Sequence, residues 1–271
     1  MAAMLYAPNI NPIALKLGPL EIHWYGIMYV LAFIAIWILG SRRVREPNSG
    51  WTEEQFADAI FYGALGVILG GRIGYILFYN LPYYIAHPLN MVKVWQGGMS
   101  FHGGLIGVVT ALWFFARRYD KRLLGVTDFI APWVPIGLGA GRIGNFINQE
   151  LWGRPTTLPW GMIFRNAGNI PRQPSQLYEF ALEGVVLFFI LRAYAKKPRP
   201  VGAISAVFLI GYGVFRFLVE FTRAPDPQLG FVLGPFTMGQ VLSAPMVVIG
   251  IALLAYVYKK AAPASGQDPN G

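Results

Sequence analysis

Cysteine is absent from the 271 residues. With it go disulfides, a cysteine nucleophile, protein thioesters and thiolate metal sites, so any thiol in this protein's chemistry arrives on a substrate. Charge is scarce too. Asp, Glu, Lys and Arg make up 13% of the chain, against 55% hydrophobic and 15% aromatic residues, where a water-facing globule carries about a quarter charged. Acids are the scarcer sign, 13 against 22 bases. Histidine occurs three times, at His23, His87 and His102 in separate segments. No H-E-x-x-H or G-x-S-x-G run is present, which argues against a metal site and a serine-hydrolase elbow.

What the chain has instead is apolar runs of about 20 residues, the length that crosses a bilayer. They predict an all-α polytopic membrane protein with seven transmembrane helices: Trp24–Gly40, Phe56–Tyr79, Met99–Ala116, Phe129–Ile147, Gln176–Tyr194, Val201–Phe221 and Phe236–Tyr258. Basic residues test that count, because cytoplasmic loops hold most of them. Arg42, Arg43, Arg45, Arg117, Arg118, Lys121, Arg122, Arg192, Lys196, Lys197, Arg199, Lys259 and Lys260 all fall on one side. Lys16, Lys93, Arg154, Arg165, Arg172 and Arg223 fall on the other. The expected topology therefore has the N terminus outside and the C terminus inside, with the first span retained in the mature protein, since its positive flank follows the apolar run. The same placement accounts for the net charge of +9 without a nucleic-acid partner.

The spans divide the chain into an extracytoplasmic interfacial arm (1–23), helices one to four (24–147) with a loop at 80–98, an extracytoplasmic head (148–175), helices five to seven (176–258) and a disordered cytoplasmic tail (259–271). The 80–98 loop, with Tyr83, Tyr84 and Trp95, reads as an interfacial segment or as plain loop packing; the head, β-prone at Gly161–Phe164, carries the same two readings.

An ionisable side chain inside a span costs about 2.5–3.5 kcal/mol on insertion scales. Arg72, Arg142 and Arg216 sit on the second, fourth and sixth spans, each within about two turns of the outer end. His102 and Tyr25 enter from the same side. Tyr212, Arg216 and Glu220, at i, i+4 and i+8, form one stripe. Arg142 and Asn145 are neighbours at i, i+3, and Gln149 and Glu150 continue their polar face. Glu179 and Glu183 are a further i, i+4 pair. Two readings compete: an internal salt-bridge network, and a cavity whose guanidinium groups bind an anionic phospholipid headgroup bidentately. The glycines at Gly103, Gly104 and Gly107 and at Gly137, Gly139, Gly141 and Gly144 serve close helix packing or headgroup approach. No strand precedes the G-x-G-x-x-G at Gly139–Gly144, so a dinucleotide site is rejected. Gly-Arg-Ile-Gly occurs at Gly71–Gly74 and again at Gly141–Gly144, by duplication or by coincidence.

The run G-R-I-G-N-F-I-N-Q-E-L-W-G-R-P from Gly141, with H-G-G at His102–Gly104 and the Tyr212–Arg216–Glu220 stripe, resembles the prolipoprotein diacylglyceryl transferase family, over about Ile10 to Tyr258. The resemblance implies transfer of the diacylglyceryl group of phosphatidylglycerol to the lipobox cysteine thiol of a prolipoprotein. It also implies a thioether product, release of glycerol 1-phosphate, no cofactor, and a site facing the outer leaflet of the bacterial inner membrane. Carried over by position, the functional residues are Tyr25, His102, Arg142, Asn145, Glu150, Gly153, Tyr212, Arg216 and Glu220, with Gly103 and Gly104 beside His102. His102 is the expected base; Arg142 and Arg216 hold the phosphodiester; Asn145, Tyr25 and Tyr212 orient it; Glu150 and Glu220 set the arginine geometry. A transporter or channel for an anionic solute, and a purely structural membrane subunit, are the competing classes.

Overall fold

The computed structural model describes residues 5–18, 20–47, 49–94, 97–225 and 230–261. In chain order its elements are β1 (Leu5–Tyr6), β2 (Ile13–Leu17), β3 (Leu20–His23), α1 (Trp24–Val44), α2 (Glu53–Tyr79), α3 (Leu81–Ala86), a 3₁₀ turn at Pro88–Asn90 and α4 (Phe101–Arg118). Then come α5 (Leu123–Ile130), a 3₁₀ turn at Ala131–Trp133, α6 (Val134–Ile147), β4 (Met162–Ile163), α7 (Ser175–Glu179), a π-helical segment at Phe180–Val186 and α8 (Leu187–Tyr194). The chain closes with α9 (Ala203–Glu220), β5 (Phe231–Leu233), β6 (Phe236–Thr237) and α10 (Met238–Ala261). The strands form three two-stranded pairs, β1 with β4 in parallel and β2 with β3 and β5 with β6 antiparallel.

Among the described residues, α1, α2, the continuous stretch from α5 to α6, α9 and α10 are long and apolar enough to cross a membrane. This is a helical membrane protein. The other two expected spans are helical but more polar: α4 carries His102 near its start and two arginines at its end, and 175–194 carries Glu179, Glu183 and Arg192. Several boundaries move: the first helix runs on to Val44, and the stretch that holds the fourth span starts at Leu123 rather than Phe129. Phe236 and Thr237 belong to the β5–β6 hairpin, so the last helix starts at Met238; and α10 takes in Lys259 and Lys260, while 262–271 of the expected tail lie outside the described residues.

The chain clusters into two compact units, one drawn from 1–38 and 128–271 and the other from 39–127. In the second unit, α2 starts with a capping box. The Thr52 side chain accepts from Gln55 N, and Gln55 Oε1 accepts from Thr52 N, with Glu53 and Glu54 placed to offset the helix dipole. Helix α4 packs on α2 through bare backbone: a Cβ on Gly103 would collide with the Gly70 carbonyl and lie 2.9 Å from Gly74 Cα. A side chain there would force the helices apart.

In the first unit, α9 is capped from another helix. The buried Asp128 carboxylate accepts from Gly202 N (2.6 Å), Ser205 N (2.7 Å) and Ser205 Oγ (2.6 Å). Its charge meets two of the backbone N–H groups that a helix N-terminus leaves unpaired, and the Ser205 hydroxyl besides. The crossing of α6 with the π segment is equally close, since a Cβ on Gly184 would lie 2.9 Å from Gly139 Cα. The 148–174 segment is tied down by backbone bonds: Gly153 N donates to Gln173 O, Arg154 N to Thr222 O and Met162 N to Arg172 O. Its Met162 and Ile163 are β4, inside the stretch expected to favour strand.

Candidate active site

The Gly139–Gly184 contact brings Arg142, three residues further along α6, up against the acidic face of the α7–π helix. There Arg142 Nε forms an ion pair with Glu179 Oε2. The other oxygen of the same carboxylate accepts from Arg216 Nη1 at 2.8 Å and from Arg223 Nη1. Glu179 has no exposed surface and holds three guanidinium groups from three segments. The i, i+4 stripe on α9 closes the network. Arg216 Nη2 lies 2.9 Å from Glu220 Oε2, which also meets Arg223 Nε at 3.2 Å, and Thr237 Oγ1 donates to Glu220 Oε1 at 3.0 Å.

Glu183, one π turn beyond Glu179, is also fully buried, but its closest guanidinium nitrogens are Arg142 Nη2 at 3.8 Å and Arg216 Nη1 at 3.9 Å. Among the described residues neither of its oxygens receives a hydrogen bond. A π turn in an α-helix often marks a functional site; here it lies between the two carboxylates that face the arginines.

Beside this cluster, α1 lies on the glycine face of α6. A Cβ on Gly144 would stand 2.5 Å from Tyr25 Cδ2, and one on Gly141 would stand 2.9 Å from the Tyr29 hydroxyl. The two tyrosines touch, hydroxyl to hydroxyl, at 3.4 Å. At the end of α6, Asn145 Nδ2 donates to Glu150 Oε1 at 2.8 Å and Asn148 Nδ2 to the same oxygen at 3.3 Å. Gln149 and Leu151, either side of Glu150, both have left-handed backbone conformations (φ +53° and +55°), uncommon away from glycine. Gln149 is held there by its side chain, which donates to Pro8 O and accepts from Arg165 N.

The sequence-derived residues thus divide. Arg142, Arg216 and Glu220 meet in one network, with Tyr212 one turn before Arg216 and stacked on Phe208. Tyr25, Asn145 and Glu150 gather at the end of α6. Glu150, expected to set an arginine, instead fixes Asn145 and Asn148. Gly153 stands where three backbone segments cross, its Cα hydrogen directed at Gln173 O and Thr222 O, each 2.5 Å from where a Cβ would be. His102, Gly103 and Gly104 belong to the other unit, at the start of α4.

Arg72 also belongs to that unit, and its donors are spent on backbone. Nε bonds Met91 O, Nη2 bonds Asn90 O, and Nη1 bonds Gly97 O and Gly98 O. The side chain lies over the Tyr84 ring, 5.0 Å from its centroid. Arg72 therefore fastens Asn90, Met91, Gly97 and Gly98 to α2 within its own unit. One member of the network falls outside the residues singled out from sequence, while Glu179 and Glu183 face the arginines as the salt-bridge reading expects. That member is Arg223, which follows the sixth span in sequence but stands i+7 from Arg216 and i+3 from Glu220 and so prolongs the stripe. Among the described residues no group of His, Asp and Glu side chains is arranged to hold a metal ion.

A family model described as prolipoprotein diacylglyceryl transferase matches residues 12–256. The phosphatidylglycerol--prolipoprotein diacylglyceryl transferase of Coxiella burnetii (strain RSA 331 / Henzerling II) is 58% identical over 257 residues, covering 94% of this chain and 98% of its own. Proteins of the same name from Pseudomonas paraeruginosa (57% over 258 residues, 95% and 97% covered) and Vibrio campbellii (56% over 254 residues, 93% and 93% covered) are similar throughout as well.

Proposed function

The chain belongs to the prolipoprotein diacylglyceryl transferase family, and we propose that it transfers the diacylglyceryl group of phosphatidylglycerol to the lipobox cysteine thiol of a prolipoprotein at the Arg142–Glu179–Arg216 network. This is the first step of lipoprotein maturation. One observation carries the placement. Two guanidinium groups from different helices are locked onto one fully buried carboxylate, yet their side chains keep 18% and 15% of their surface exposed. Their geometry is set before any ligand arrives, and part of each side chain remains accessible to it. Fixed donors of this kind stabilise developing negative charge without reorganising.

In this reading the thiol sulfur attacks the glycerol carbon that bears the phosphate. A carbon–sulfur bond forms, the carbon–oxygen bond breaks, and its electron pair leaves with glycerol 1-phosphate. Arg142 and Arg216 hold the phosphodiester and the departing phosphate. Glu179 and Glu220 aim those guanidinium groups, Tyr25, Tyr212 and Asn145 orient the headgroup, and Glu150 holds Asn145. Gly153 permits the close approach of backbone beside Gln173 and Thr222, and Gly103 and Gly104 the packing of α4, which carries His102, on α2. The thiol must lose its proton, since free cysteine titrates near 8.5, and His102 is the proposed acceptor. Seven spans, with the N terminus outside and the network in the outer leaflet of the inner membrane, are the topology that the basic residues support. They put the site where an exported precursor and an anionic lipid meet.

The test is direct. Purified protein incubated with phosphatidylglycerol and a lipobox peptide adds the diacylglyceryl mass to the peptide, and an Arg142→Ala, Arg216→Ala protein that is still folded does not. A folded wild type that leaves the peptide unmodified overturns the proposal and favours carriage of an anionic solute.

A further inference from the structure

Six charged side chains form the network: Arg142, Arg216 and Arg223 against Glu179, Glu183 and Glu220. With all of them ionised the cluster is neutral. A phosphodiester bound there would leave it one charge negative in a buried setting, and a departing phosphate monoester would leave it more so. Burial without close partners favours the neutral form of a carboxyl group, and a second nearby anion favours it further.

The three carboxylates are not equally placed to give up their charge. Glu179 is held by three guanidinium groups, and Glu220 by two together with the Thr237 hydroxyl. Glu183 is fully buried, receives no hydrogen bond among the described residues, and stands 3.8 and 3.9 Å from the two arginines that keep an open face. The ionisable groups that face it are Arg142 from α6, Glu179 from its own helix, Tyr212 and Arg216 from α9, and Arg223 just beyond. On α8, Arg192 is engaged elsewhere, over the Trp133 ring, and Tyr194 is paired with Tyr258.

Resting on the headgroup site proposed above, we infer that Glu183 holds a proton whenever an anionic headgroup occupies Arg142 and Arg216, so that lipid binding and proton uptake at Glu183 are one event. Empty, the site uses the Glu183 carboxylate as a loose counterion. Occupied, it exchanges that counterion for the lipid phosphate, and the neutral carboxyl is free to donate a hydrogen bond. Glu183 is thus a positioning residue that matches the charge of the pocket to its ligand.

The experiment measures the affinity of phosphatidylglycerol for the full chain in neutral-lipid nanodiscs from pH 5.5 to 8.5, for wild type and Glu183→Gln, with peptide transfer followed on the same samples. Uptake of one proton predicts that wild-type binding weakens with rising pH, by up to about tenfold per pH unit. The glutamine variant, permanently neutral and of the same shape, should bind with no pH slope and at pH 8 at least as tightly as wild type. Glu183→Asp, which restores the titratable group, should restore the slope. A slope that persists in Glu183→Gln, a flat wild-type profile, or weaker binding by the folded glutamine variant at every pH each overturns the inference. A wild type that binds lipid with the expected slope but transfers nothing to the peptide would leave the proton coupling standing and defeat the transferase reading instead.

Discussion

Arg142 and Glu179 form an ion pair between α6 and α7 in which the carboxylate has no exposed surface while the guanidinium side chain keeps 18% of its own. The pair is thus buried on its acidic side and open on its basic side. A merely structural bridge gains nothing from that asymmetry; a site that must present positive charge to a ligand depends on it.

Because Arg142 reaches Glu179 through Nε, its two Nη nitrogens are oriented by a planar fork that lysine lacks. Arg142→Lys should fold and yet lose about a hundredfold to a thousandfold in turnover, the usual cost of one lost charge-stabilising donor. Peptide modification under saturating lipid is the measurement, and a loss smaller than tenfold would count against the assigned role.

Glu179→Gln should act on stability first. It leaves three guanidinium groups around a neutral amide in a buried place, and breaking a buried pair costs about 3–5 kcal/mol. Thermal unfolding in detergent should show a marked drop in the midpoint for Glu179→Gln and a much smaller one for Glu183→Gln, since Glu183 makes only the long contacts.

At Gly144 a methyl group would meet the Tyr25 ring 2.5 Å away. Gly144→Ala must therefore push α1 off α6 or rotate Tyr25, at about 1–3 kcal/mol for an overpacked contact. The expected outcome is a lower unfolding midpoint together with a weaker affinity for phosphatidylglycerol, the stability loss alone being partly rescued when Tyr25 is also shortened to alanine. Additive losses in the double variant would place the two residues out of contact.

Asp128 lies in no part of the Arg–Glu network, and its three hydrogen bonds serve the start of α9. Asp128→Ala should cost about 1–3 kcal/mol for the donors left buried, lowering the unfolding midpoint. The fraction that stays folded should have near-normal kcat.

His102→Gln separates two roles. If His102 accepts the thiol proton, kcat falls while lipid affinity is kept, and raising the pH towards the range where the thiol ionises by itself restores part of the rate. Undiminished kcat at neutral pH would remove His102 from the chemistry.

Much of this was readable along the chain. The apolar runs predicted every long helix to within a few residues, because hydropathy over 20 residues is a local property. The α9 stripe was readable for the same reason: Tyr212, Arg216 and Glu220 share a face through helical spacing alone, and that spacing reaches Arg223 as well. Arg72 was not readable. By sequence it matches Arg142, down to the flanking Gly-Arg-Ile-Gly, and only the fold shows its nitrogens committed to the carbonyls of residues 90–98. Glu150 likewise sits in a motif that points towards the arginines, but the left-handed turns at Gln149 and Leu151 send it back to Asn145.

Sequence alone therefore determined the medium this protein lives in, the places where its helices run, and the kind of ligand its buried arginines suit, since each follows from residue type and short-range spacing. Which acid holds which base was decided by tertiary structure. Glu179 lies 37 residues from Arg142 and from Arg216 in either direction along the chain, and they meet only because Gly139 and Gly184 let two helix backbones touch while a π turn faces both carboxylates inward. Steric contacts between distant segments of this kind leave no periodic trace in a sequence.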